Sequence, residues 1–421
     1  MPLRRDAGAL ALAGKGSYSL RMPGRSGQLP STHVALRKMS SMTYESPWMN
    51  DELRMFRKKV RRFIQEEFSP HQARWRQQHR PDAEAWIKAG AAGLLLTDMP
   101  EEYGGGGGTI AHEAVVAEEL ARAGVNFGSL IQSIVAHYIL AYGNEEQKQR
   151  WLPRMARGEL VAAIAMTEAG AGSDLKAIKA TAVRDGSSYV VNGAKAFVTN
   201  GWHCSILVLA AKTDLQVPGP RGISLIVVET KNLSGYSIGA PLEKVGMNAQ
   251  DTCGLSFDGA RVPASNLLGD RDGRGFSQLM EQLSYERLMI ALASVATGEE
   301  AVLITTKYVK ERMAFGAPLM ELQNTRFKLA ECKTESLIGR VFIDNCIQDF
   351  IAGRLDATTA AMAKFWLTDC EGRILDHCVQ LHGGYGYMTD NPVARMWADS
   401  RVRRIYAGAN EVMKEIIGHS L

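Results

Sequence analysis

Apolar residues recur at three- and four-residue steps from Asn50 to about Glu159. DELRMFRKKVRRFIQEEF, HEAVVAEELARAG and NEEQKQRWLPRMARGE each carry such a face, with Gly and Pro between them, and predict helices. From Leu160 the period shortens to two. SSYVVNGAKAFVTNG alternates on both sides of an Asn-Gly pair, which predicts a hairpin turn at that pair. SILVLAAK, GISLIVVET and GLSFDGARV predict further strands, and the block ends near DRDGRGF. After Phe276 helical periods return and run to the C-terminus, broken at FGAPLMELQ, AGRLDA, HGGYGYMTDNP and YAGAN. Helices, then strands, then helices predict a mainly α protein with a central β domain, and argue against a parallel α/β sheet. The expected divisions are a helical domain at 45–160, a β domain at 161–275 and a helical bundle at 276–421. Residues 1–44 are expected to form a flexible, leader-like extension.

One position interrupts this patterning. In QLMEQLSYERLMIALA (278–293), Leu279, Leu283, Glu286, Ile290 and Ala293 fall on one helix face, so a carboxylate stands inside an apolar stripe. Burying a carboxylate costs folding free energy unless something compensates. Arg287 is no natural partner, because adjacent helical residues point in different directions. The stripe alone is met equally by a core-edge glutamate tied to a distant base.

Composition narrows the function classes. The 421 residues are 46% hydrophobic and 22% charged, an ordinary balance for a soluble protein of about three domains. The formal charge of +4 is concentrated at the start, where residues 1–42 hold Arg4, Arg5, Lys15, Arg21, Arg25, Arg37 and Lys38 against Asp6. Without them, 49 basic and 45 acidic residues become 42 and 44, which does not describe a nucleic-acid surface. The acid-poor, Arg- and Ser/Gly-rich leader reads as a mitochondrial transit peptide, with the matrix as destination. Met39 and Met42 offer later starts, with a cytoplasmic location if the source is bacterial. No stretch of 18 consecutive apolar residues is present, so no membrane span is expected. The six cysteines form no Cys-x-x-Cys pair and no His cluster has metal spacing, so no metal site is expected.

Two glycine-containing stretches read differently. GLLLTDMPEEYGGGGGTIAHEAVV imitates a dinucleotide-binding loop, but Met99–Tyr103 separate the apolar run from Gly104–Gly108, and Glu101 and Glu102 would face a phosphate. A flexible turn between helices is expected there instead. AMTEAGAGSDL (165–175) lies at the helix-to-strand junction; Gly170 and Gly172 permit close approach of backbone amides to a ligand, and Thr167 and Ser173 supply hydroxyls. A solvent turn is the alternative. In KAFVTNG (195–201) a period of two places Phe197 and Thr199 on one face, which suits a planar ring system.

Taken together, MTEAGAGSDL, AKAFVTNG, ERMAFGAPLMELQ, QLHGGYGYM and RRIYAGANEVM resemble the acyl-CoA dehydrogenase family, in order and at family spacing, across residues 45–421. SYERLMIA and FIDNCIQDFIAGRLDATTAAMAKFW are similar to the long-chain subgroup. The resemblance implies an N-terminal helical domain, a middle β-barrel or sandwich domain and a C-terminal four-helix bundle, with FAD as cofactor. It places Ala165, Met166 and Thr167 at the flavin, Thr199 near its N5 and O4, and Phe197 where many members stack a tryptophan. Ser173 is implied beside both the pyrophosphate and the pantetheine of the substrate. Arg312, Phe315 and Gln323, with Gln380, Gly383 and Gly384, match segments that reach the FAD of a neighbouring subunit, which implies a homotetramer built as a dimer of dimers. Ala409 and Glu411 stand at flavin contacts where the family often has Thr and Gln.

The chain departs from many members at Ala407, where enzymes of the medium-chain type carry the catalytic glutamate. The long-chain and isovaleryl subgroups place the base at the position matched by Glu286. The resemblance therefore implies that Glu286 removes the pro-R α-proton of an acyl-CoA while flavin N5 takes the β-hydride, giving trans-2-enoyl-CoA. It further implies that the backbone N–H of Ala407 and a flavin ribityl hydroxyl hold the thioester oxygen, and that Tyr285, Arg287, Ala407 and Gly408 line the substrate site. A medium- or long-chain acyl-CoA and electron-transferring flavoprotein are the implied partners. The alternatives are a branched-chain dehydrogenase of the isovaleryl type, an acyl-CoA oxidase, and an FAD- or CoA-binding scaffold without turnover.

Overall fold

The computed structural model describes residues 44–421; the leader and its alternative starts lie outside the described residues. Six helices come first: α1 (Asp51–Phe63), α2 (Gln72–Gln78), α3 (Ala83–Ala91), α4 (Ile110–Arg122), α5 (Ser129–Tyr142) and α6 (Glu145–Ala156). Their starts follow local chemistry. Asn50 caps α1 by accepting the Leu53 N–H, and Thr109 and Asn144 form capping boxes with His112 and Gln147. The five glycines before α4 form a compact loop. Gly106, Gly107 and Gly108 donate their N–H groups to the carbonyls of Leu96, Met99 and Thr97, so these donors are spent internally and none is free for a phosphate.

Seven strands follow: β1 (Ala162–Ala165), β2 (Thr181–Asp185), β3 (Ser188–Thr199), β4 (Ile206–Lys212), β5 (Ile223–Glu229), β6 (Tyr236–Ile238) and β7 (Thr252–Pro263). They form one sheet in the order β1-β4-β2-β3-β7-β6, with β5 on β4. β1 and β2 pair with β4 in parallel and the remaining pairs are antiparallel, so the sheet is mixed. β4 is apolar on both faces. Ile206, Val208 and Ala210 enter the core shared with the helices, whereas Leu207, Leu209 and Ala211 enter a second core between the strands.

Two expectations fail in β3. The Asn192-Gly193 pair makes no hairpin; the strand runs through it, and Gly193 at φ 131 forms a bulge against β7. The actual two-residue turn lies between β2 and β3, with Gly186 at φ 61. A second register shift falls between Lys195 and Val198, where Phe197 takes φ 56, so strict alternation does not carry Phe197 and Thr199 onto one face.

The chain then enters α7 (Gly275–Glu311), a two-stranded hairpin of β8 (Met313–Ala314) and β9 (Ala317–Pro318), and helices α8 (Gln323–Ile351), α9 (Ala357–His382), α10 (Pro392–Ser400) and α11 (Asn410–Gly418). α7 is long and apolar enough to cross a membrane, yet 72% of its most apolar window is buried against other parts of the protein, including α4, α5, α8 and α9. Arg340 of α8 ties the halves together through Glu118 of α4 and Glu299 of α7, at 2.5 and 2.9 Å.

Candidate functional site

Glu286 sits about a third of the way along α7 and is 5% exposed. The hydroxyl of Tyr138, on α5, donates to its Oε1 at 3.1 Å. Burial pushes the Glu286 carboxyl up to about 7, opposed by that hydroxyl and by the charge of Arg287. Tyr138 is itself held well above the usual phenol range, by its own burial and by the Glu286 charge, so it stays protonated as a donor. The result is a solvent-excluded carboxylate poised to exchange a proton near neutral pH.

Arg287 points elsewhere, as adjacent helical positions require. Its Nε donates to the carbonyl of Ala407 at 3.4 Å. Ala407 has φ 50 and Gly408 φ 93, so the turn before α11 holds two successive residues in the left-handed region. Glycine suits position 408 because φ 93 is a backbone conformation that side chains rarely adopt. Lys364 of α9 donates to the Gly408 carbonyl at 2.7 Å. Glu286, Arg287, Ala407 and Gly408 are thereby linked through one helix and one turn. Tyr285 is differently engaged: its hydroxyl meets Asp98 at 3.3 Å and its ring lies 4.1 Å from that of His137. A cavity of about 380 Å³, walled in part by Tyr142, Arg274, Gln278 and Glu281, lies beside the first turns of α7; Glu286 is not among its walls.

A second group of candidate residues gathers where β1 meets β3. β1 ends at Ala165, and Lys195, whose side chain is fully buried, donates to the Met166 carbonyl at 3.0 Å and to Glu168 at 2.8 Å. The Ala196 N–H adds a bond to the Thr167 carbonyl at 2.9 Å. The 166–168 segment is thus strapped to the bulged part of β3. Thr167 and Thr199 are half-buried, Ser173 is exposed, and no atom lies within 4 Å of a Cβ built on Gly170 or Gly172. Phe197, displayed by its positive φ, is 68% exposed. Open glycine backbone, the hydroxyls of Thr167, Ser173 and Thr199 and an exposed aromatic face fit a planar, phosphate-bearing cofactor such as FAD.

A third group lies at the end of α7. Phe315, at φ 54 in the β8–β9 hairpin, is 95% exposed, and Gln323 is exposed at the start of α8. The Arg312 guanidinium lies 5.7 Å from the Tyr385 ring, so this hairpin meets the turn after α9. Gln380, Gly383 and Gly384 are exposed there, and no atom lies within 4 Å of a Cβ on either glycine. Ala409 caps α11 and Glu411 is exposed in its first turn.

Three family models match consecutive stretches of the chain. The acyl-CoA dehydrogenase N-terminal domain matches residues 50–159, the middle domain 163–260 and the C-terminal domain 273–421. The chain belongs to the acyl-CoA dehydrogenase family. It is 42% identical over 394 residues to the long-chain specific acyl-CoA dehydrogenase, mitochondrial, of Sus scrofa, covering 93% of this chain and 89% of that protein. It is 32% identical over 379 residues to the isovaleryl-CoA dehydrogenase, mitochondrial, of Pongo abelii, covering 88% and 89%. The crystal structure of an acyl-CoA dehydrogenase from Geobacillus kaustophilus matches with a TM-score of 0.87 at 46% identity, covering 89% of this chain and 99% of that one. As a member of this family the chain is an oxidoreductase acting on acyl-CoA.

Sequence reasoning passed over Tyr138, Lys195 and Lys364. Lys364 carried the same signal as Glu286, a charge inside the apolar run TTAAMAKFWL. Lys195 stands on a strand within a motif already singled out. Tyr138 carried no signal at all, since its partner is 148 residues away.

Proposed function

We propose that this acyl-CoA dehydrogenase family member oxidises saturated medium- to long-chain acyl-CoA to trans-2-enoyl-CoA, with Glu286 as the base, and delivers electrons to electron-transferring flavoprotein. The observation that carries the reading is Glu286 itself. It is a water-excluded carboxyl raised to about 7, on the helix whose next residue bonds the Ala407 carbonyl. In the family pattern given above, an enzyme with alanine at 407 needs its base elsewhere.

The α-proton of a thioester is far too weakly acidic for an ordinary carboxylate in water. Desolvation strengthens Glu286 as a base, and the Tyr138 hydroxyl holds Oε1 so that the carboxyl stays oriented. The Ala407 N–H is assigned to the thioester oxygen, where it stabilises charge developing as the proton leaves. This donor belongs to the backbone, so it survives the loss of a glutamate side chain at 407. Residues 165–167, Ser173, Phe197 and Thr199 are assigned to FAD, with Ala409 and Glu411 further along. FAD, when bound, supplies the acceptor for the β-hydride. The exposed Arg312, Phe315, Gln323, Gln380, Gly383 and Gly384 are assigned to the FAD of a neighbouring subunit in a homotetramer.

The test is anaerobic bleaching of the purified, yellow holoenzyme by a panel of straight and branched acyl-CoAs. Bleaching by medium or long straight chains supports the reading. Turnover restricted to isovaleryl-CoA would favour the branched-chain alternative, whose family members share the base position. Rapid peroxide release without reduction of electron-transferring flavoprotein would identify an oxidase. A matrix location rests on residues 1–42 and is tested by import and cleavage of that leader in isolated mitochondria.

A further inference from the structure

Lys364 is a fully buried lysine on α9. Its Nζ donates to the Gly408 carbonyl at 2.7 Å and to Asn410 Oδ1 at 2.8 Å. Asn410 is fixed in turn, its Nδ2 donating to Thr368 Oγ1 and Asp369 Oδ1, both at 3.0 Å, and to the Phe365 carbonyl at 3.3 Å. One residue earlier, Arg287 holds the Ala407 carbonyl. Two successive carbonyls of one turn are therefore held by buried cations from two different helices.

The turn needs such restraint. A non-glycine residue at φ 50 is held in a sparsely populated region and persists only where the surroundings over-determine it. Fixing the carbonyls of 407 and 408 fixes the two planar peptide units that follow the Ala407 Cα, the frame from which the left-handed Ala407 directs its N–H. One of the two restraints comes from the residue next to Glu286. A purely structural lysine, filling α9 and capping α11, would satisfy the same two acceptors. What separates the readings is whether the turn's geometry is felt at the reacting carbonyl.

We infer that Lys364, acting with Arg287, is a positioning residue that registers the Ala407 N–H against Glu286, so that proton removal and stabilisation of the thioester oxygen coincide. The inference rests on the reading of Ala407 as the oxyanion donor. Lys364 also has a charge it can lose. Burial and the neighbouring Arg287 draw it down to about 8, while Asp369 on its own helix and Glu411 on α11 oppose them. Above that pH a charge-assisted bond to Gly408 weakens to a neutral one. An alkaline limb in flavin reduction follows.

The experiment uses holoenzyme carrying Lys364→Met, Lys364→Gln or Glu286→Gln, compared with the parent. Stopped-flow flavin reduction should fall about a hundredfold in Lys364→Met, the scale of a misplacement of about 1 Å, with FAD content and enoyl-CoA affinity nearly unchanged. Lys364→Gln keeps a donor and should recover part of the rate, but without the limb near pH 8. The infrared band of a carbonyl-labelled enoyl-CoA should move to lower frequency on binding to the parent and much less on binding to Lys364→Met. An unshifted rate and carbonyl band in folded Lys364→Met would overturn the inference. Should that variant fail to fold, persistence of the alkaline limb in Lys364→Gln overturns it and loss of the limb supports it. Normal reduction in Glu286→Gln would sink the assignment of the base, while the carbonyl band, which needs no base, still decides the role of Lys364.

Discussion

Replacing Tyr138 with phenylalanine removes one oxygen atom and tests how the base is tuned. The hydroxyl donates to Glu286 Oε1 at 3.1 Å inside the protein, and it works against the burial that raises the Glu286 carboxyl to about 7. A hydrogen bond to a charged group contributes about 1.5–3 kcal/mol, and 1.36 kcal/mol corresponds to about one pH unit. Without the hydroxyl, burial is unchanged and the ionised form loses a partner. The Glu286 carboxyl should therefore rise by roughly one to two units.

At pH 7 the ionised fraction would drop from about one half to between about one tenth and one hundredth, so flavin reduction should slow roughly five- to fiftyfold. Raising the pH should restore much of the rate, because the carboxylate that does form is the stronger base. The limb contributed by Lys364 near 8 should clip this recovery, leaving a lower and narrower maximum displaced to higher pH. The assay is anaerobic stopped-flow reduction across pH 6 to 9.5 at saturating acyl-CoA, with FAD content matched. An acid limb that stays in place, or moves to lower pH, would refute the argument that this hydroxyl stabilises the carboxylate.

Glu286→Gln should lower flavin reduction by about a hundred- to ten-thousandfold while retaining FAD. The same change should stabilise the protein at alkaline pH. Because folding raises this carboxyl from 4.5 to about 7, its contribution is fully present below about pH 4.5 and is lost as pH rises through 7, at a cost of about 3 kcal/mol. Melts of the two proteins should thus diverge between pH 5 and 8, and parallel curves would contradict the burial argument. Glu286→Gly combined with Ala407→Glu should recover part of the reduction rate with an altered chain-length preference; no recovery over Glu286→Gly alone would show that the donors do not serve a base on both sides. Lys195→Met should weaken FAD retention on dilution, since Lys195 straps the Met166 carbonyl and Glu168 to β3, and an unchanged FAD affinity would separate that strap from the cofactor.

How far the sequence could be read depended on whether the deciding contact was local. The helix-strand-helix order was legible because each segment's apolar period is set by the face it buries, and Glu286 was legible because it breaks such a period. Lys364 breaks one too, but a lysine in an apolar stripe usually carries its ammonium out to water, so the pattern alone does not distinguish it. Its burial follows from Gly408 and Asn410, more than 40 residues further on. In β3 a local rule was overruled: Asn192-Gly193 has turn chemistry, but pairing with β7 extends along the whole strand, and Asn192 Oδ1 accepts the Gly259 N–H at 2.8 Å across it. The glycine that could have closed a hairpin instead supplies a bulge, and a second bulge presents Phe197 outward. These irregularities cost strand regularity where the candidate cofactor residues lie. The conflict between local preference and tertiary pairing is therefore concentrated in the same stretch to which the FAD contacts are assigned, which is where a fold that must hold a flat ligand is expected to depart from regular alternation.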